Sequence, residues 1–229
     1  MKKHFFLLAV LLTMSFMANA QLLKDRTNGK VTVGFDLFTD VNQGKGGYEN
    51  FKLRTINQGV NAYITYNMPM GESKHTVSFG IGVSCHNYYL KGAYLADPYT
   101  TPIAFTQGSI KKSKLNFNYF DIPMELNFRI ADKFKISFGG KIGFLLSSKT
   151  KIKGYIFPVE EGEGDEVEHL WEVQYRNLAG AETVVYSTFA RIGYRCVNLY
   201  IGYQFTSAFK KDQGPEIMPL SIGIGIRAF

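Results

Sequence analysis

Few residues of this chain have the chemistry needed for acid–base catalysis. Histidine occurs at His4, His75, His86 and His169. Ser84 and His86 are two residues apart, a spacing that would place both side chains on one face of a strand. A nucleophilic acyl-transfer site would also need an acid that orients the histidine and a group that binds the oxyanion. Neither is visible in the sequence, so chance proximity is the favoured interpretation and no catalytic residue is predicted.

A run of acidic residues is the second chemically distinctive feature. Its members are Glu160, Glu161, Glu163, Asp165, Glu166 and Glu168. Carboxylates are preferred ligands of Ca²⁺ and Mg²⁺, but the order of acids and glycines does not match an EF-hand loop. A solvated, self-repelling loop explains the run as well, and bridging by a divalent cation to lipopolysaccharide is a third interpretation. A cation or a surface contact at the loop tip is therefore kept as an alternative to the solvated loop, and no metal or cofactor is predicted.

A third set of charged residues is interspersed with apolar residues along segments of alternating character. The set comprises Asp36, Asp121, Glu125, Arg129, Lys141, Arg191, Arg195 and Arg227, with Lys135 on the same parity. Buried charges persist only when they are paired. If this parity faces an interior, the sequence predicts an internal network of ion pairs.

The segments that must position these residues have one apolar face each. In one of them Val77, Phe79, Ile81 and Val83 alternate with small or polar residues, as in a β-strand with one apolar side. The predicted strands are Lys30–Phe38, Ile56–Met68, Thr76–Tyr89, Leu115–Ile130, Phe134–Ser147, Thr183–Arg195, Val197–Phe209 and Ile217–Phe229. Two more strand-like stretches, Lys149–Phe157 and Leu170–Leu178, predict a projecting hairpin with the acidic run at its tip.

An even number of such strands behind an export signal is typical of a transmembrane β-barrel. Residues 1–20 have a basic start, an apolar run and the ending Ala18-Asn19-Ala20, which predicts a signal peptide cleaved before Gln21. Residues 21–29 are expected to form a short periplasmic tail. Residues 30–229 are predicted to form an all-β, eight-stranded antiparallel up-and-down barrel with long extracellular loops. No later run reaches the roughly 18 apolar residues that a membrane helix needs.

The connections between strands alternate in length, which predicts the orientation of the barrel. The tight ones are Pro69–His75, Ala131–Lys133 and the Arg195–Val197 corner, the long ones are Thr39–Thr55, Leu90–Lys114 and Ser148–Glu182, and Lys210–Glu216 is intermediate. Periplasmic turns are short and extracellular loops long in this class. Both termini are therefore predicted to be periplasmic. Cys85 and Cys196 would then lie near opposite ends, beyond the bridging limit of about 7 Å, and are expected to be free thiols.

Aromatic residues near the strand ends are expected to form interfacial girdles. They are Tyr66, Tyr119, Phe120, Tyr186, Tyr194, Tyr203 and Phe205. With apolar residues facing lipid, the charged set lies inside the barrel. An interior that is filled is favoured over a conducting path, because eight strands leave no aqueous channel. Glu125 is expected within reach of Lys141 across a hairpin. Four residues are expected at the periplasmic mouth, where they can remain hydrated: Arg129, Lys135, Arg195 and Arg227.

The charge distribution gives no sign of a nucleic-acid surface. Loss of Lys2 and Lys3 with the signal peptide lowers the formal charge from +7 to +5, and the remaining basic residues are scattered. The run Lys111, Lys112 and Lys114 could contact anionic lipopolysaccharide, although a solvated loop is the favoured interpretation. The expected partners are outer-membrane lipid and lipopolysaccharide, the barrel-assembly machinery during insertion, and an unknown extracellular or secretion partner. The barrel is expected to be a monomer.

Two adjacent motifs resemble the PorT-like outer-membrane β-barrel family. The first is the run from Tyr119 to Phe128, with Ile122-Pro123 at its centre, and the second is the glycine-rich run from Phe138 to Leu146. The resemblance covers residues 30–229 and implies a barrel in the outer membrane. It also implies a bulge or local break at Pro123, which cannot donate a hydrogen bond to a neighbouring strand. The family includes a secretion-associated factor, so the resemblance transfers no single role.

These observations predict a non-enzymatic outer-membrane barrel of a Gram-negative bacterium that acts in surface interaction or envelope structure through its extracellular loops. A secretion-accessory role is a close alternative. A lipid A-modifying enzyme is another, and would need Ser84 or His86 beside an acid at the lipid boundary. A soluble, lipocalin-like ligand carrier is the last, and would need the apolar face inside and the charged face outside.

Overall fold

The computed structural model describes residues 30–44, 48–108, 110–131, 133–156 and 169–228. Strands provide its regular structure: β1 (Val31–Asn42), β2 (Asn57–Pro69), β3 (Thr76–Leu90), β4 (Ala93–Leu95), β5 (Phe105–Gln107), β6 (Ile110–Ala131), β7 (Phe134–Ile156), β8 (His169–Arg176), β9 (Val184–Tyr194), β10 (Val197–Gln204) and β11 (Pro219–Ala228). Within these ranges no helix is long and apolar enough to cross a membrane. The predicted signal peptide, the tail 21–29 and the acidic run 160–168 lie outside the described residues.

Eight strands close into a ring. The order around it is β6, β3, β2, β1, β11, β10, β9 and β7, and β7 pairs with β6 to complete the circle. Every pairing in the ring is antiparallel. The predicted eight-stranded antiparallel barrel is confirmed. Closure leaves the ring without free edges.

The two faces of each strand have opposite character. In β3, Phe79, Ile81 and Val83 are 44, 56 and 48% exposed, whereas Ser78 and Ser84 are buried. The same alternation in β6 exposes Ile122, Met124 and Leu126 and buries Asp121 and Glu125. Apolar side chains therefore cover the outside of the ring and charged ones fill the inside. This arrangement excludes the lipocalin-like alternative, which required the reverse.

Most of the expected girdle residues lie on the outside of the barrel. Tyr66, Tyr186, Tyr194 and Phe205 are each about half exposed. The assignment of Tyr119 to a girdle is wrong, because its ring points inward and is 1% exposed. Phe120 is the neighbour that faces outward. The error is one of parity, since adjacent residues of a strand point to opposite faces.

The projecting hairpin is confirmed, with one difference in its connectivity. β7 continues to Ile156 and pairs with β8 from Lys149 opposite Arg176 to Ile156 opposite His169. β8 does not run on into β9, because the chain turns between them at Asn177 and Gly180, both with positive φ. β6 is also longer than predicted and accompanies β7 above the ring. β10 is shorter and ends at Gln204 rather than Phe209.

Pro123 lies in the middle of β6 and interrupts only one of its two ladders. The pairing with β7 runs through Pro123 opposite Lys141, and the register shifts of this ladder lie elsewhere. The ladder with β3 lacks pairs between Phe79–Met124 and Gly82–Asp121, although the register is unchanged across the gap. Because Pro123 has no N–H, the pairing of β6 with β3 is interrupted at this position. This is the local break that the family resemblance implied, and it occurs without a bulge.

The end of the barrel that carries the long loops is closed by an apolar core, here called the cap core. Strand ends and loops contribute to it together, and it joins Phe51, Tyr88, Leu90, Leu95, Ile103, Phe105, Leu115, Phe117, Tyr119, Leu178, Val185, Ala208, Phe209 and Ile217. Backbone hydrogen bonds tie the loops to one another, from Ile103 N to Gln213 O at 3.0 Å and from Ala179 N to Pro98 O at 2.8 Å. Cys85 and Cys196 are free, as predicted.

Candidate functional site

Four charged side chains from different parts of the ring meet inside the barrel. Arg191 on β9 donates to Glu125 Oε2 at 2.6 Å and to Asp36 Oδ2 at 2.9 Å. Arg227 on β11 donates to Glu125 Oε1 at 2.5 Å. All four residues are at most 5% exposed in their side chains. Two guanidinium groups and two carboxylates therefore neutralise one another in a chain across the lumen.

The Arg191 guanidinium is also enclosed by aromatic rings. Its Cζ lies 4.3 Å from the ring centre of Phe189, 4.7 Å from that of Tyr63 and 5.0 Å from that of Tyr200. A cation over an aromatic face gains electrostatic stabilisation that increases with desolvation. The rings and the carboxylates together hold Arg191 inside the barrel. Sequence parity alone did not distinguish Arg191 from the other basic residues of the charged set.

A second ion pair joins neighbouring strands. Lys141 Nζ donates to Asp121 Oδ2 at 2.7 Å, with both side chains at most 10% exposed. The expected contact between Lys141 and Glu125 is wrong. Lys141 lies directly opposite Pro123, so Asp121 and Glu125 are both diagonal neighbours, and the two arginines already occupy the oxygens of Glu125.

The remaining predicted members of the charged set lie elsewhere. Arg129 and Arg195 are exposed near the tight turns and do not belong to the buried clusters, because β6 and β9 end within a few residues of them. Lys135 is partly exposed at the same end. Arg227 was expected to remain hydrated there, but it is 3% exposed and bound to Glu125. The structure thus brings together Asp36, Asp121, Glu125, Lys141, Arg191 and Arg227.

A third buried cluster escaped the sequence analysis. Asp40 is fully buried, accepts a hydrogen bond from Ser221 Oγ at 2.5 Å and lies 2.7 Å from His86 Nδ1. The predicted first strand ended at Phe38, which left Asp40 in a loop. The signal was present in the alternation of Asp36, Phe38 and Asp40, which continues the inward parity of β1 by two residues.

The arrangement around His86 does not match an enzyme acting at the lipid boundary. Ser84 and His86 face the interior, where they are 3 and 4% exposed. His86 packs beside Tyr88 and Tyr119, with ring centres 6.2 and 6.0 Å away, directly beneath the cap core. A lipid chain outside the ring cannot reach either side chain. The condition set for the lipid A-modifying alternative is not met by this geometry.

Buried side chains occupy the described interior between the charged clusters and the cap core. A cavity of about 20 Å³ lies beside the ion pairs, lined in part by Asn61, Tyr63, Asp121, Lys141 and Tyr200. One water molecule needs roughly 10–15 Å³. Phe189 and Tyr200, which both line this cavity, form a small apolar cluster with Phe38. The described interior therefore resembles a packed core more than a pore.

Charged residues also occupy the outside of the barrel beyond the apolar surface. Glu172 on β8 is ion-paired with Lys151 and Lys153 on β7. Hydrogen bonds from these two ammonium groups hold the pKa of Glu172 below its usual range. Among the residues that the structure describes, no three His, Cys, Asp or Glu side chains are arranged to hold a metal ion.

Comparisons with known proteins identify the architecture more than any activity. The family model described as outer membrane protein beta-barrel domain matches residues 19–211. No curated protein matches the sequence significantly.

Similar solved structures are distant. Ail of Yersinia pestis in complex with the heparin analogue sucrose octasulfate is 12% identical, with 86% of this chain and 95% of that chain covered and a TM-score of 0.35. Ail in a phospholipid bilayer nanodisc is 14% identical, covering 86 and 98%, with a TM-score of 0.33. A Rhodopseudomonas blastica porin triple mutant is 12% identical, covering 86 and 99%, with a TM-score of 0.19. Likeness at this level assigns no activity.

Proposed function

Because this chain belongs to the outer membrane protein beta-barrel domain family, we propose that it acts through contacts made by its extracellular surface and has no enzymatic activity. The chain is an integral β-barrel protein of the outer membrane. The observation that carries the proposal is the cap core, which closes the loop-bearing end of the barrel and joins the loops into one folded surface.

The filled interior favours contact over passage. The ion pairs of Glu125 and Asp121 and the cap core lie in series along the barrel axis, so a solute would have to disrupt both layers. Leaving one partner of a buried ion pair uncompensated costs about 3–5 kcal/mol. A secretion-accessory role, the closest alternative, would then operate through surface contacts as well.

The orientation and processing of the chain form part of the proposal. Residues 1–20 are removed as a signal peptide, and both termini lie in the periplasm with the tight turns. The long connections and the β7–β8 hairpin lie outside the cell, as in other barrels of this class. The barrel is inserted by the barrel-assembly machinery and functions as a monomer. The Ile122-Pro123 centre of β6 and the glycine-rich start of β7 support a PorT-like subgroup.

The orientation is tested by cysteine labelling of intact cells. In a C85S/C196S background, K211C lies in an exposed loop after β10 and E72C in the exposed turn between β2 and β3. A membrane-impermeant maleimide is expected to label K211C in intact cells and E72C only after the outer membrane is permeabilised. Labelling of E72C alone would reverse the orientation and overturn the proposed extracellular role of the loops.

The contact mechanism is tested by conductance and by lipid analysis. Purified barrel in a planar bilayer is expected to give no stable channel steps, because the lumen is packed. Lipid A from cells that carry or lack the protein is expected to have the same mass profile. Reproducible open-channel currents would contradict a filled lumen. A protein-dependent change in lipid A that H86A abolishes would support the lipid A-modifying alternative.

A further inference from the structure

The outer surface of the β6–β7–β8 extension carries a concentrated positive charge. On the face of the sheet that continues the lipid-facing side of the barrel lie Lys112 and Lys114 on β6, Lys149, Lys151 and Lys153 on β7, and Arg176 on β8. The register shift at Asn118–Tyr119 moves this face from the even-numbered to the odd-numbered residues of β7 between Leu146 and Lys149. We call the six lysine and arginine residues the basic face. The residues between them on β7, Thr150 and Ile152, point the other way and are buried.

The strand register places like charges directly opposite one another. Lys114 pairs with Lys151, and Lys112 pairs with Lys153, across the β6–β7 ladder. Lys149 pairs with Arg176 across the β7–β8 ladder. Like charges at directly opposed positions destabilise a sheet. Three such pairs in succession are an arrangement that folding alone does not favour, so an anionic ligand would relieve it.

Little negative charge from the described chain offsets this face. Glu172 lies opposite Lys153 and is the carboxylate that pairs with Lys151 and Lys153. Lys114 donates to the neutral Asn87 Oδ1 at 3.0 Å, and Lys112 Nζ lies 5.1 Å from the ring centre of Tyr89. Partial burial, together with the repulsion of Lys112, Lys151 and Lys149, lowers the pKa of Lys114.

The height of the basic face above the apolar surface indicates which layer of the membrane it contacts. Among the β7 side chains that the structure describes, Leu146 is the last strongly exposed apolar residue on the outside, at 61%. With a rise of about 3.3 Å per residue and a strand tilt of about 40°, Lys149 lies roughly 8 Å and Lys153 roughly 18 Å above it. The headgroup layer of a phospholipid leaflet is only about 5–8 Å thick. The basic face therefore extends beyond a phospholipid surface.

We propose that the basic face binds the phosphorylated saccharide headgroup of lipopolysaccharide in the outer leaflet. The headgroup carries phosphates on sugars that rise above the acyl chains, which matches both the sign of the charge and its height. Lysine side chains bind phosphate as mobile point charges, and their aliphatic stems can lie along the sheet. The inference rests on the proposed orientation, which cysteine labelling tests separately.

The test compares two triple variants of equal charge change. K112Q/K114Q/K149Q removes half of the basic face and leaves the pairing of Glu172 with Lys151 and Lys153 in place. K133Q/K210Q/K211Q removes three exposed lysines from turns and loops elsewhere on the barrel. Each purified barrel, in neutral detergent micelles, is titrated with lipopolysaccharide while its unfolding temperature is followed by the heat-dependent shift in gel mobility. The same lipopolysaccharide after chemical dephosphorylation, phosphatidylglycerol and inorganic phosphate serve as separate arms.

Lipopolysaccharide is expected to stabilise the native sequence and the K133Q/K210Q/K211Q variant equally. Each basic residue near an anionic surface contributes about fivefold to affinity, so K112Q/K114Q/K149Q is expected to bind on the order of 100-fold more weakly. Without lipopolysaccharide this variant is expected to be at least as stable as the native sequence, since all three opposed like-charge pairs are gone. K114Q alone provides a milder second variant.

Three results would overturn the proposal. Equal affinity of both triple variants for lipopolysaccharide would show that the basic face does not contribute to binding. Undiminished stabilisation by dephosphorylated lipopolysaccharide would show that the basic face does not recognise the phosphates. Equal stabilisation by inorganic phosphate or phosphatidylglycerol at matched phosphate concentration would show that the basic face binds anions in general and does not recognise lipopolysaccharide. Because the titration is done in micelles, it is independent of the orientation in the cell.

Discussion

At the scale of single residues, the interior is organised around Glu125. Each of its two oxygens accepts a hydrogen bond from a different arginine, and those arginines come from β9 and β11, far away in sequence. A carboxylate with two buried guanidinium partners cannot be removed without leaving positive charge in a poorly hydrated place. Glu125 therefore joins strands on different sides of the ring.

Replacement of Glu125 by glutamine is expected to lower the free energy of unfolding by about 3–5 kcal/mol, because Arg191 and Arg227 lose their shared counter-charge. The matched control is R129Q, at an exposed position on the same strand, which is expected to change the unfolding free energy by less than about 0.5 kcal/mol. Urea unfolding in lipid vesicles, followed by gel mobility, measures both. Similar midpoints for the two variants would show that the ion-pair chain contributes little to stability.

At the scale of elements, glycines allow the inner side chains to fit. A Cβ at Gly223 on β11 would overlap the backbone of Leu37 and Phe38 on the neighbouring strand. A Cβ at Gly140 on β7 would have its nearest contact with the Ser187 carbonyl oxygen at 3.6 Å, an ordinary distance. Glycine is therefore sterically required at position 223 but not at position 140.

The substitution G223A is expected to destabilise the barrel by about 1–3 kcal/mol, because β1 and β11 must move apart to admit the methyl group. G140A is expected to be neutral or slightly stabilising, since alanine restricts the unfolded chain more than glycine does. Unfolding temperatures of the two purified variants decide the matter. A G223A barrel as stable as G140A would mean that the strands adjust freely at this position.

The β7–β8 hairpin is expected to loosen in acid. The pKa of Glu172 is lowered by Lys151 and Lys153, so the ion pairs contribute fully above the usual carboxyl range and are lost as pH falls through the lowered value. Hydrogen exchange of β8 amides, compared between the native sequence and E172Q at each pH, cancels the intrinsic pH dependence of exchange. The protection of β8 in the native sequence is expected to approach that of E172Q as pH falls. A difference that does not change with pH would contradict this.

At the scale of the whole molecule, stability and location are linked. The outside of the ring is apolar over its central part, the inside is charged and paired, and the cap core closes the loop-bearing end. The extension of β6, β7 and β8 then continues beyond the ring with a polar and basic outer surface. A single closed sheet thus provides a membrane anchor at one level and a folded surface above it.

The protein is expected to migrate faster on a detergent gel before boiling than after it, because a closed barrel resists unfolding by detergent. The shift is expected to be the same with and without reducing agent, since Cys85 and Cys196 are free. The C85S/C196S variant is the control and should behave identically. Loss of the shift on reduction would reveal a disulfide, and absence of any shift would contradict the closed barrel.

The sequence by itself determined which side of each strand is apolar, how many strands close the barrel and at which end the long connections lie. Alternation and turn length are local properties, so residues such as Phe79 and Ser78 could be assigned without knowing their neighbours. Only the tertiary structure decided which charges meet. Arg129 and Arg227 have the same parity and chemistry, yet one is exposed and the other binds Glu125. That difference depends on strand register and on height within the barrel, and pairings between distant segments set both. The same pairings bring Asp40 to His86 and place the lysines of the basic face opposite one another.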